Sequence, residues 1–219
     1  MPGRWIAAIT AFGAGVLVSA LSFDLMDEAQ RRGGFLPTAA GFLAGAVAYT
    51  AANIALSRYG ARNRKRSGQQ QAEEGGSGTA IAVGALLDGI PESVVIGVSL
   101  LSGQGVSLVA VAAVFLSNLP EGLASAAGMR NAGRSATYVF GIWSGIAVLS
   151  GLAALLGALL MAGSGAGAIA FVTAIAAGAI LAMLADTMIP EAFETAHDYA
   201  GLITVLGFLA AFVLTKMGG

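Results

Sequence analysis

Apolar residues run along this chain in blocks of about twenty, broken by short polar or glycine-rich joints. An α-helix needs roughly 17–25 such residues to cross a bilayer. Seven blocks qualify, at about 5–26, 36–57, 79–101, 107–129, 136–161, 166–189 and 201–217. The pattern predicts an all-α, polytopic membrane protein of about seven transmembrane helices, forming one domain over 1–219. The joints SGQG (102–105) and GSGAG (163–167) are short and uncharged. Residues 58–78, RYGARNRKRSGQQQAEEGGSG, are polar throughout and basic at their start. They have nothing to bury and read as a flexible loop.

Composition sharpens this picture. Only 11% of the residues are charged and 57% are hydrophobic, against about 25% charged in a soluble domain. The 32 glycines suit helices that pack closely in lipid, where small residues let backbones approach. There is no cysteine, which removes disulfides and thiolate ligands. No A-x-A cleavage site precedes the acidic cluster at Asp24, Asp27 and Glu28, so the first block reads as a retained helix.

The charges also orient the chain. Arg58, Arg62, Arg64, Lys65 and Arg66 belong in the cytoplasm by the positive-inside bias. Seven spans then put the N-terminus and the Arg130/Arg134 joint inside, and the C-terminus outside a cell membrane. Arg31 and Arg32 fall on the outer side, beside Asp27 and Glu28. A faint internal repeat accompanies this topology. Residues 11–29 lie on 174–192 without gaps, agreeing at six of nineteen positions. The two helices would run in opposite directions, as inverted repeats of transporters do.

The candidate chemistry lies where lipid tolerates it least. LLDGIPES (86–93) and FLSNLPEG (115–122) each set a proline and a glutamate inside an apolar block. Asp88 and Glu92 are four apart and share a helix face. Each would cost about 2.5–3.5 kcal/mol at the bilayer centre on insertion scales. Pro91 removes a backbone N–H and leaves the Leu87 carbonyl without its helix partner; Pro120 does the same for Leu116. The fourth block adds Ser117, Asn118 and Glu121, and the sixth offers Asp186 ahead of Pro190 and Glu191. Carboxylates and freed carbonyls at mid-membrane depth make a cation or proton pathway. Met183 and Met188 flank Asp186, where methionine at helical spacing reads as packing. His197, the sole histidine, falls in a joint.

On these elements the chain resembles the ZIP (Zrt/Irt-like) family of metal-ion transporters. That family carries H-N-x-P-E-G in its fourth helix, [HQ]-[ND]-x-P-E-G in its fifth and often H-E-x-x-P-E in its seventh. Here these read Asp88 to Ser93, Ser117 to Gly122 and Asp186 to Glu191. The helix from Gly13 to Ala29 resembles the family's second, which implies that its first has no counterpart in this chain. Glu92, Asn118 and Glu121 match residue for residue. Asp88, Ser117 and Asp186 stand where the family has histidines, and Gly89 where it has an asparagine.

The resemblance implies a carrier of divalent cations such as Zn, Mn or Fe, moved as substrate and not held as a cofactor. Asp88, Glu92, Asn118 and Glu121 form the core of its site, with Ser117 at a motif position and Asp186 as a further ligand. Oxygen donors tilt the choice toward Mn and Mg, though zinc also accepts carboxylates. No enzymatic activity, phosphate-binding loop or nucleic-acid partner is expected. The expected partners are divalent cations and the lipid bilayer, with a homodimer left open. Two rivals stand beside this reading: a proton-coupled carrier of an organic solute, and a transport-inactive ZIP-like partner or sensor.

Overall fold

A computed structural model of the chain describes residues 3–58, 77–102, 108–131 and 133–217. The described residues contain helices and turns and no strand. Helix α1 (Gly3–Ala20) passes through a π-helical turn (Leu21–Met26) into α2 (Asp27–Gly33). Gly34, at φ 76°, makes the turn into α3 (Phe35–Leu56). Then follow α4 (Ser77–Ser99), α5 (Leu108–Asn131), α6 (Ala136–Met161) and α7 (Ala166–Met183). A second π-helical turn (Leu184–Met188) joins α7 to α8 (Ile189–Ala196), and a 3₁₀ turn (His197–Tyr199) leads into α9 (Ala200–Met217). Among the described residues, five helical stretches are long and apolar enough to cross a membrane: Arg4–Gly33, Phe35–Leu56, Ala136–Met161, Ala166–Glu194 and His197–Met217. Most of the loop expected at 58–78 lies outside the described residues.

Two helices run further than hydropathy suggests. The first continues past Met26 because the polar segment after it helps itself along. Arg31 pairs with Asp27 and Glu28 at 3.1 Å each, and Arg32 with Glu28, all at helical spacing. The other continues through Pro190 to Ala196. Proline is tolerated in a first helical turn, where its missing N–H has no partner to lose. Here Pro190 occupies that position in α8, straight after the π-helical turn.

Packing is built on close helix pairs. A Cβ on Gly15 of α1 would overlap the Thr204 carbonyl of α9, and one on Gly207 of α9 would overlap the Phe12 carbonyl of α1. Helices α3 and α7 do the same: Gly45 faces the Ile175 carbonyl and Gly178 the Phe42 carbonyl. Only glycine permits such approach. Leu17, Leu21, Tyr49, Ile180, Met183, Leu184 and Met188 close the core between these pairs. Met183 and Met188 are buried in it, which bears out their reading as packing. Helix α4 packs chiefly on α6, α1 also meets α5, and α3 and α4 touch only briefly. Much of α6 turns large apolar side chains outward, among them Phe140, Val148, Leu155 and Leu159.

Candidate cation site

The carboxylates at 88 and 92 sit one turn apart on α4, and both are almost wholly enclosed, at 2% and 1% exposure. Burying an ionisable group in a nearly uncharged helix bundle is costly unless partners meet it. Partners come from both sides. From α5, Asn118 Nδ2 donates to Glu92 Oε2 at 2.6 Å. From α3, the Tyr49 hydroxyl donates to Asp88 Oδ1 at 2.9 Å. Asn118 Nδ2 also donates to the Val114 carbonyl one turn back, at 2.8 Å. The two donations fix how its amide faces, and the amide oxygen is the atom able to meet a cation. Ser93, the residue after the P-E pair, donates to the Gly89 carbonyl at 2.6 Å.

Glu92 borders a small cavity of about 20 Å³, whose other walls include Leu17, Leu21, Val95, Val114 and Ile180. That is room for about one water. Among the described residues that wall it, all but Glu92 are apolar, so Glu92 brings a carboxylate to it.

Asp186 stands apart from this buried group. It lies in the second π-helical turn, is exposed, and accepts from Asn53 Nδ2 at a long 3.5 Å. Asn53 follows Tyr49 by one turn of α3, so the two acids, on α4 and in the second π-helical turn, both meet the same stripe of that helix. The side chains of Ser117 and Glu121 lie outside the described residues; α5 carries both positions, Glu121 three residues after Asn118. Among the described residues, no three Asp, Glu or His side chains converge closely enough to hold a metal. His197 is exposed, ends α8 at φ 42° and meets the Phe193 ring edge-on at 6.1 Å.

Tyr49 and Asn53 are the polar residues that sequence reasoning passed over. Their signal was present as a Y-x-x-x-N spacing on a mostly apolar helix, where two hydrogen-bonding side chains on one face ask for partners.

No protein-family model matches the chain. It is similar to an Arabidopsis thaliana protein named "Putative zinc transporter", with 29% identity over 196 residues. The match takes in 88% of this chain but 31% of the plant protein, so the chain spans about a third of its relative's length. The apolar helices and this likeness together make the chain a membrane protein.

Proposed function

We propose that the chain is a ZIP-type carrier that moves divalent metal ions across a membrane through the carboxylates of α4 and α5. The observation that carries this reading is the joined pair: Glu92, enclosed on α4, held by Asn118 of α5. One helix offers a cation ligands on one side only, and the P-E element on the second helix supplies the other side. In this reading Asp88, Glu92, Asn118 and Glu121 bind the ion. Ser117 is a further candidate by its motif position, and Asp186 serves as an outlying ligand. The name of the plant relative points to zinc. The donor set itself is oxygen-rich and accepts Mn and Fe as readily. An organic solute fits less well, because the cavity beside Glu92 is about 20 Å³ while drug-sized ligands occupy pockets of about 300–1,000 Å³.

The same proposal holds that α1, α3, α4, α5, α6, α7 and α9 all span the bilayer, with the N-terminus inside and the C-terminus outside, and that the chain carries an inverted repeat. Two observations support the repeat. Laid on each other at the offset read from the sequence, Leu21 and Leu184 coincide, and each begins a π-helical turn. Gly15 and Gly178 coincide as well, as do Phe12 and Ile175, and these are the residues of the two reciprocal glycine–carbonyl approaches.

Uptake into proteoliposomes tests the function, run across Zn, Mn, Fe, Co, Ni, Cd and Mg with the Glu92→Gln/Glu121→Gln double variant alongside. Cation-dependent uptake that the double variant loses is the expected result. Uptake of none of them, or equal uptake by the double variant, overturns the reading.

A further inference from the structure

Tyr49 is 3% exposed on α3. A buried phenol needs a hydrogen-bond partner, and this one donates to Asp88 Oδ1 at 2.9 Å. The bond joins α3 to α4, two helices that otherwise share little surface: α3 leans on α7, and α4 on α6. Packing of the two backbones therefore does little to aim Asp88, and the phenol is the contact from α3 that does.

We infer that Tyr49 is a positioning residue that limits how Asp88 can grip a cation, and so helps set which cations the carrier accepts. The inference rests on the carrier reading above. A phenol donating to Oδ1 takes one of that oxygen's two lone pairs and weakens it as a metal donor, which disfavours chelation through both oxygens. Small ions such as Zn bind one carboxylate oxygen at about 2.0–2.2 Å. Calcium takes six to eight oxygens at about 2.3–2.6 Å and often uses a carboxylate bidentately. With Tyr49 in place, Asp88 suits the smaller ions, and the ring keeps the neighbouring space filled. Removing only the hydroxyl leaves the ring and frees Oδ1 for chelation.

The test is the ratio of Mn²⁺ to Ca²⁺ affinity, measured by titration calorimetry on purified parent and Tyr49→Phe protein. Partners of liganding side chains commonly change metal affinity about 10–100-fold, so Tyr49→Phe should cut the preference for Mn²⁺ about tenfold. The same substitution made in an Asp88→Asn background should leave the ratio where Asp88→Asn alone puts it. A purely packing role for Tyr49 would not depend on the Asp88 carboxylate. An unchanged ratio in Tyr49→Phe overturns the inference, as does an equal shift in the Asp88→Asn background. If the parent binds neither ion nor Zn²⁺, the carrier reading fails and this inference falls with it. If the parent binds and only the ratio is indifferent, the inference fails alone. Should Tyr49→Phe not fold, infrared difference spectra of the parent with and without Mn²⁺ decide, using Asp88→Asn to isolate the Asp88 bands. Widely split carboxylate stretches, the mark of one-oxygen binding, are expected, and a narrow chelating split overturns it.

Discussion

At the scale of the residue, a buried charge either has a job or is a liability. Glu92 is enclosed, borders a cavity and accepts a short bond from Asn118. Replacing it by glutamine keeps the shape and most of the hydrogen bonding but removes the charge a divalent ion needs. Glu92→Gln should weaken cation binding more than tenfold in the calorimeter. Its yield in the membrane should be equal or higher, because a charge is costlier to bury than a neutral amide of the same shape. Parent-like binding by Glu92→Gln would make the glutamate structural. Sequence alone picked out Asp88 and Glu92, because an acid inside an apolar block is conspicuous by its cost, and Asn118 through the repeated P-E element; the structure joins Asn118 to Glu92. Sequence did not reach Tyr49 or Asn53, which cost little in a helix and gain meaning only when the fold brings an acid to them. It also grouped Asp186 with the buried acids. The P-E spacing around Pro190 resembles the other two, but the π-helical turn leaves Asp186 exposed, beside Asn53.

At the scale of the element, the helices were readable from hydropathy, and their ends less so. Apolar blocks stop at Met26 and near Ile189, yet the helices do not. Ion pairs at helical spacing carry the first through to Gly33, and a π-helical turn before Pro190 lets the other reach Ala196. Hydropathy sees neither device. The glycines divide in a similar way. Gly45 and Gly207 sit where a Cβ would strike a carbonyl of the facing helix, whereas Gly141, Gly145 and Gly151 on α6 face open space. Counting glycines could not separate the two classes, because the difference lies in the neighbour. Gly45→Ala and Gly207→Ala should each cost about 1–3 kcal/mol, as overpacking does. In detergent both should melt several degrees below the parent, while Gly145→Ala should melt with it or slightly above, since alanine is the better helix former. Equal melting of all three would mean that the α1–α9 and α3–α7 contacts are looser than their geometry.

At the scale of the whole molecule, the basic run at 58–66 and the Gly/Gln-rich tail after it bear on regulation and on orientation. Deleting 69–74 should leave uptake within about twofold of the parent, since the Gln, Ala and Glu there offer little surface to bury. Collapse of uptake would give the loop a part in the cycle. Orientation turns on α4 and α5. The five crossing stretches of the described residues do not include these two helices, whose side chains lie partly outside the described residues, although their sequence blocks at 79–101 and 107–129 are apolar enough to span. If both cross, the joint between them is outside. If both fold back without crossing, that joint stays inside and every other joint keeps its side, because removing a pair of crossings preserves parity. One position therefore decides between seven spans and five. The physical case for crossing is that the two acids of α4 are kept from lipid: Asp88 and Glu92 are enclosed by neighbouring helices and hydrogen-bonded by Tyr49 and Asn118, which offsets the cost of insertion. The chain has no cysteine, so single cysteines at Gln70 and Gln104 can be read without background. In intact cells an impermeant maleimide should label Gln104→Cys and spare Gln70→Cys, with both labelled once the membrane is opened. Protection of both positions would fold α4 and α5 back into the membrane from the inside. Labelling of Gln70→Cys alone would turn the whole molecule over.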